Sequence, residues 1–177
     1  MNYEKALFIT VVAAAVAVSL NLIVLKLFKQ KSSYRAEHSM VGVITLMLLF
    51  GTFIGGKTSR PELVGFFLLS LIPCYLGTVF SDLDIKLLGI GAHRNIFFHS
   101  SLLFLLLFFV GRQVDVFLLR VMIAGFGIGL GSHLLWDLFD RAGIRRIPGR
   151  KLARVWLGSH ALLCLLLSWL SLAARFI

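Results

Sequence analysis

Charged residues are scarce in this chain of 177 residues. They make up 15% of it, whereas hydrophobic residues make up 59% and the mean hydropathy is +0.93. An ordinary soluble domain of this length carries more charge and fewer apolar residues. The shortage of charge therefore excludes that class and predicts an integral membrane protein.

Features that divide a chain into parts are also missing. There is no linker, no low-complexity stretch and no convincing internal repeat, so residues 1–177 are expected to form one domain. Only two cysteines occur, Cys74 and Cys164, and both lie within apolar stretches, where a thiol behaves as a small apolar side chain. They are therefore expected to be structural, and they do not indicate a redox compartment.

Long apolar stretches recur along the chain, and a membrane-spanning helix needs about 20 mostly apolar residues. The predicted spans are residues 6–28, 39–56, 62–80, 96–110, 116–139 and 152–174. The first is too long and too weakly cationic at its start for a cleaved signal peptide. The fourth is short, and a helix beginning near His93 is expected to lengthen it. The sequence thus predicts an all-α fold, a polytopic membrane helical bundle of about six transmembrane helices.

Lysine and arginine are divided unevenly between the two sides of these spans. The loops after the first, third and fifth spans hold twice as many as the remaining loops and termini. Because cytoplasmic loops carry the excess, those three loops are predicted to be cytoplasmic and both termini to lie outside. This rule and attraction to anionic membrane lipids account for the net charge of +10. No nucleic-acid-binding module accompanies the charge, so no nucleic-acid partner is expected.

Residues that can bind a metal ion recur at the predicted cytoplasmic ends of the spans. They are His38, Asp82, Asp84, His93, His99, His133, Asp137 and His160. An aspartate or a basic residue near a bilayer centre costs about 2.5–3.5 kcal/mol, so intramembrane ionisable groups usually mark function. A lone interfacial histidine or loop aspartate is more often simply solvated, but a cluster at one face favours a shared site. His160 is its weakest member, because it also suits an ordinary helix contact.

The spacing of these residues indicates how they could share an ion. His133 and Asp137 are four residues apart, so on a helix they project from one face about 6 Å apart. Asp82 and Asp84 lie in a predicted turn, where an irregular backbone can aim both carboxylates the same way. Carboxylates with neutral imidazoles suit zinc, manganese or iron, and magnesium if the histidines serve another role. We therefore expect a divalent metal ion, with zinc or manganese favoured.

The segment around Arg94 adds two histidines and a cation. His93 and His99 are six residues apart, about 240° around a helix, so one of them, His93, is expected to come from a loop or a first turn. Arg94 can bind a phosphate bidentately, and an anchor at the cytoplasmic face is the alternative. For the arginines after the fifth span, the anchor role is favoured.

Four alternating glycines lie in the fifth span, at Gly125, Gly127, Gly129 and Gly131. No strand precedes them, so a nucleotide-binding loop is not expected. Small residues in an apolar helix favour close packing against other helices. Such packing would bring the histidine and aspartate at the end of this span close to neighbouring helices.

Four motifs follow one another between residues 38 and 150. They are His38-Ser-Met-Val-Gly42, Ser81-Asp-Leu-Asp84, His93-Arg-Asn-Ile-Phe-Phe-His99-Ser100 and Ser132-His-Leu-Leu-Trp-Asp137. With these motifs the chain resembles the LexA-regulated, YdjM-like family of bacterial inner-membrane metal-dependent hydrolases. It departs from that family's pattern at flanking positions, such as Ser81 in place of proline and Phe98 in place of threonine. The resemblance implies a bacterial inner (cytoplasmic) membrane and a hydrolytic metal centre.

Together these features predict a metal-dependent hydrolase at headgroup depth, acting on a phosphoester of a lipid or lipid-linked substrate. The expected ligands of one or two divalent ions are Asp82, Asp84, His93, His99, His133 and Asp137. His38 is expected to be a further ligand or a general base, and Arg94 a phosphate clamp. The alternatives are a divalent-cation or proton-coupled transporter, because intramembrane Asp and His also form ion pathways, and a non-catalytic regulatory membrane protein.

Overall fold

The structure, a computed structural model, describes residues 34–54, 56, 58–89, 93–139 and 143–176. The first predicted span, residues 6–28, lies outside them. Within the described residues all regular secondary structure is helical, so the all-α prediction is confirmed there. The helices are α1 (Tyr34–Gly51), α2 (Arg60–Phe80), α3 (Leu83–Leu88), α4 (Leu102–Gln113), α5 (Phe117–Phe139) and α6 (Arg150–Phe176).

Three of these helices, α2, α5 and α6, are long and apolar enough to cross a membrane. Their length and composition support a membrane protein. The apolar part of α1 (Glu37–Gly51) and α4 are shorter. With 12 residues, α4 is about 18 Å long, well below the hydrocarbon thickness of about 30 Å. A bundle of six spans therefore remains a prediction.

The fourth predicted span differs from the structure at its beginning. The prediction of a helix starting near His93 is wrong, because α4 begins at Leu102 and residues 93–101 form turns. Two backbone N–H groups of this segment donate to side chains instead of helix carbonyls: that of Asn95 to Asp84, and that of Phe97 to Asn95. Such side-chain acceptors compete with helix formation.

α5 lies at the centre of the bundle and packs against α1, α2, α4 and α6. A Cβ added at Gly125 would crowd Ser70 of α2, and one added at Gly129 would overlap the backbone of Cys74. Since both partners advance by four residues, α2 and α5 run parallel and in register. A Cβ at either of the other two glycines would crowd α4 or α6. The predicted close packing of this glycine-rich helix is confirmed.

An aromatic core fills one half of the bundle. It joins the C-terminal ends of α1 and α6 to the N-terminal ends of α2 and α5. Ring centroids lie 5.7 Å apart for Phe50 and Phe67, and 5.0 Å apart for Phe53 and Phe176. Because these four ends meet there, the opposite ends of the same helices meet at the other end of the bundle. That end carries the polar motifs.

Candidate metal centre

Buried ionisable side chains gather at the polar end of the bundle. Apart from the two cysteines, the buried ionisable side chains of the described residues are those of His38, Asp82, Asp84, His99, His133 and Asp137. None of these residues is more than 7% exposed. Buried charged groups are costly unless they are paired or coordinate an ion. Their convergence at one end agrees with the clustering expected from the sequence.

Three imidazole rings surround the carboxylate of Asp137. Its Oδ2 lies 3.4 Å from Nε2 of His99 and 3.5 Å from Nε2 of His133. Its Oδ1 lies 3.6 Å from Nε2 of His38. The three rings come from the 93–101 turn segment, α5 and α1. One nitrogen of the same type from each ring therefore faces a single carboxylate.

The protonation of His133 follows from its second nitrogen. Nδ1 lies 2.7 Å from the backbone carbonyl oxygen of Thr78 in α2. A carbonyl oxygen only accepts hydrogen bonds, so Nδ1 carries the hydrogen and donates it. In the neutral ring, Nε2 then presents a lone pair to the carboxylate of Asp137. Two acceptors that face each other require a proton or a cation between them, and a backbone carbonyl behind the ring is a common partner of metal-binding histidines.

His99 supplies a second sign that the cluster fits a cation. Both its ring nitrogens are buried, and neither makes a hydrogen bond within the described part of the chain. Its Nδ1 lies 3.6 Å from Oδ2 of Asp84, while its Nε2 faces Asp137. A buried polar atom left unsatisfied costs about 1–3 kcal/mol. A cation at Nε2, with Nδ1–H directed at Asp84, satisfies both nitrogens.

The nitrogen to oxygen distances around Asp137 match the ligand spacing of a tetrahedral ion, and the ligand atoms that converge there within 4.8 Å of one another belong to His38, His133 and Asp137. Two ligands bound about 2.1 Å from a tetrahedral zinc ion lie about 3.4 Å apart. Neighbouring ligands of an octahedral ion at the same bond length lie about 3.0 Å apart. The nitrogen to oxygen distances to this carboxylate are 3.4, 3.5 and 3.6 Å. Three imidazoles and one carboxylate are also a donor set that transition metals prefer.

A second group of converging ligand atoms consists of Asp84, His93 and His99. Nδ1 of His93 lies 3.4 Å from Oδ1 of Asp84, and the backbone N–H of Asn95 donates to Oδ2 of Asp84 at 2.9 Å. His99 cannot bind one ion through each nitrogen while it is a neutral ring, because one nitrogen keeps its hydrogen. The geometry therefore allows two arrangements: one ion at Asp137 with Asp84 behind His99, or one ion at each group.

Asp82 is buried but is a member of neither group of converging ligand atoms. The expected irregular turn is instead the start of α3, with Asp82 at its N-cap and Asp84 in its first turn. Positions two apart on a helix point about 200° away from each other. Of the described residues, the two converging groups include Asp84 and omit Asp82. Its role as a ligand stays a prediction.

Arg94 lies beside the centre, at the start of the turn segment. Its guanidinium Nη2 is 3.9 Å from Oδ1 of Asp137, and its side chain is largely buried. Its backbone φ of 63° is in the left-handed region, which costs a residue with a Cβ about 1–2 kcal/mol. A backbone bond from Arg145 N–H to Arg94 O, 3.0 Å long, helps to hold this conformation. The arginine predicted as a clamp is thus within reach of the centre.

Helix α6 fastens the turn segment from outside the centre. Nε1–H of Trp156 donates to the carbonyl of His99 at 2.8 Å, and the backbone N–H of Ser101 donates to Nδ1 of His160 at 3.2 Å. His160 therefore holds the residue before α4, outside the two converging groups. Sequence reasoning missed Thr78 and Trp156. Trp156 could have been suspected, because it is a tryptophan at a predicted membrane interface. Thr78 could not, because it acts through a backbone carbonyl, which every residue has.

Comparison with known proteins finds no match for this chain among family models, curated proteins or solved structures. The case for a metal centre therefore stands on the chain's own residues.

Proposed function

We propose that this chain is a membrane-bound metal-dependent hydrolase of the kind implied by its resemblance to the YdjM-like family. Its substrate is a phosphoester of a lipid or lipid-linked molecule, and its centre faces the cytoplasm of a bacterial cell. One observation carries the proposal: three imidazole Nε2 atoms face the carboxylate of Asp137 at 3.4–3.6 Å. The topology of about six spans, with both termini outside, belongs to the same proposal.

The arrangement that we favour has one divalent ion, zinc or manganese, bound by His38, His99, His133 and Asp137. When bound, such an ion lowers the pKa of a coordinated water to about 7 and offsets charge on phosphoryl oxygens. His38 is 2% exposed, so the role of ligand suits it better than that of a general base exchanging protons with water. Asp84 orients His99 in this arrangement.

Two residues at the edge of the centre complete the proposed chemistry. The guanidinium of Arg94, 3.9 Å from Asp137, holds a phosphoryl oxygen through its forked donors. The side chain of His93 is 33% exposed and contacts Asp84 through Nδ1 at 3.4 Å. Its other nitrogen is the one left to exchange protons with water, so His93 is our candidate for the general acid or base.

A lipid substrate is supported by the surface around the centre. Large apolar side chains are exposed there, including Leu87, Phe97 and Phe139. Arginines and a lysine follow in the segment before and within the first turn of α6. Apolar side chains beside a band of cations are typical of headgroup depth. A phosphoester in this layer would meet the centre without leaving the membrane.

The competing class is a cation or proton transporter. A transporter needs polar groups near the midplane and on toward the far face. In the described part of the chain, the opposite half of the bundle is filled by the aromatic core, in which the Phe53 and Phe176 rings lie 5.0 Å apart. Packed phenylalanines favour a centre that opens to one side only.

The test uses purified full-length protein with its metal content measured by mass spectrometry. Hydrolysis is followed on a panel of phospholipids in nanodiscs. Asp137→Asn is expected to lose the ion and turnover together. Asp115→Asn is the matched control, because the Asp115 side chain is fully exposed, and it is expected to keep both. A wild type without a bound ion would overturn the metal centre, and an ion without turnover on any lipid would overturn the hydrolase.

A further inference from the structure

A small open pocket adjoins the proposed centre. It is lined by Leu88, Asn95, Ile96, Arg145 and Arg146, and its volume is about 290 Å³. Asn95 connects the two places, because its backbone N–H donates to Oδ2 of Asp84 at 2.9 Å and the residue also lines the pocket. The pocket is therefore linked to the proposed centre through a single residue, Asn95.

The two arginines of the pocket are held in place by the backbone that carries them. Arg145 N–H donates to the carbonyl of Arg94 at 3.0 Å, which ties this segment to the centre. Ile144, just before them, is 4% exposed and packs in the core between α5 and α6. Arg146 has a φ of 73°, and such a conformation persists only where its surroundings impose it. The fold therefore fixes the backbone positions from which both arginine side chains extend.

The lining has the chemistry of an anionic headgroup site. Of the described residues that line it, two are arginines, one offers an amide, two are apolar, and none is acidic. Arginine binds phosphate through paired, charge-assisted hydrogen bonds. A volume of about 290 Å³ lies at the low end of ligand pockets and has room for one phosphate group with its glycerol.

We propose that Arg145, Arg146 and Asn95 form a phosphate-binding pocket that holds the headgroup of an anionic membrane phospholipid beside the centre. The function of this pocket in placing a substrate rests on the proposed hydrolase. Binding of the headgroup does not, because none of the described residues that line the pocket is among the proposed metal ligands. Simple attraction of anionic lipid to a basic surface is the competing explanation, and a charge-matched variant separates the two.

The experiment compares full-length wild type, Arg145→Gln/Arg146→Gln and Arg150→Gln/Arg154→Gln in detergent with EDTA. The second pair lies on exposed positions of α6 outside the pocket and removes the same charge. Binding of short-chain phosphatidic acid, and separately of inorganic phosphate, is measured by titration calorimetry. Thermal unfolding of each variant verifies folding, and Arg145→Lys/Arg146→Lys keeps the charge without the forked donors.

The expected result is that phosphatidic acid binds at least about tenfold more weakly to Arg145→Gln/Arg146→Gln, and less than about twofold more weakly to Arg150→Gln/Arg154→Gln. The lysine pair is expected to fall between them. Equal losses in both glutamine pairs would overturn the pocket, as would a wild type that binds no phosphatidic acid. Inorganic phosphate bound as tightly as the lipid would assign the pocket to free phosphate and overturn the lipid. Since EDTA is present throughout, failure of the hydrolase leaves these outcomes unchanged.

Discussion

His133 donates the hydrogen of Nδ1 to the carbonyl of Thr78 at 2.7 Å, across the interface between α5 and α2. This bond lies one turn beyond the contact of Gly129 with the backbone of Cys74. The close approach of the two helices therefore brings a backbone carbonyl to the back of the ring. Its consequence is chemical, because it leaves the lone pair of Nε2 facing Asp137.

Adding a methyl group to the glycine surface of α5 is expected to weaken metal binding, although the substituted position lies one helical turn from His133. Gly129→Ala places a methyl group against the carbonyl of Cys74, and overpacking of this kind costs about 1–3 kcal/mol. Thermal unfolding in detergent should show the loss, together with a weaker affinity for zinc because the Thr78 carbonyl is displaced. Gly65→Ala is the control, because the added Cβ would meet no atom of another described segment within 4 Å. It is expected to be neutral or stabilising, since alanine is the better helix former.

The number of ions distinguishes the two arrangements of the centre. If Asp84 orients His99 and binds no ion itself, wild type contains one ion per chain. Asp84→Asn then keeps that ion with an affinity lower by about 10-fold to 100-fold, the usual effect of losing a partner behind a metal-binding histidine. Metal stoichiometry and chelator competition measure both quantities. Two ions per chain in wild type and one in Asp84→Asn would instead make Asp84 a ligand.

The bond from Trp156 to the backbone of His99 is expected to position the ring of His99. Trp156→Phe keeps an aromatic side chain but removes the donor at 2.8 Å, which leaves a carbonyl without its partner at a cost of about 1–3 kcal/mol. Zinc affinity should fall by about tenfold or more while the chain still folds. Trp136→Phe on α5, 37% exposed, makes the same chemical change away from this bond. Equal affinities for the two variants would contradict the positioning role.

Arg94 is expected to matter for turnover and not for the ion. Arg94→Gln removes a guanidinium 3.9 Å from Asp137, and loss of one donor to a developing negative charge costs about 100-fold or more in rate. Steady-state hydrolysis of the best phospholipid measures this effect, with metal content as the second readout. Arg112→Gln, at the exposed C-terminal end of α4, should behave as wild type. An anchor role predicts normal turnover for both.

Local patterns account for what could be predicted about the site. His133 and Asp137 lie on one continuous helix, so their spacing alone places them on one face. The gathering of His38, Asp84 and His99 at the same end follows from the order of the apolar stretches along the chain. The turn at residues 93–101 was not predictable, because its shape depends on the carboxylate of Asp84 accepting a backbone N–H from a different element.

Composition and spacing by themselves determined that this chain is apolar, that its described part is helical, and that the side chains able to bind a metal lie at one end. These properties depend on residue type and on the helical period, which are local. Only the tertiary structure decided which nitrogen of His133 faces Asp137, that Asp84 and not Asp82 joins the converging atoms, and that Trp156 and His160 hold the turn segment. Those outcomes depend on backbone carbonyls and N–H groups brought together by packing. Every non-proline residue has the same backbone groups, so no pattern of side chains marks the ones that are used.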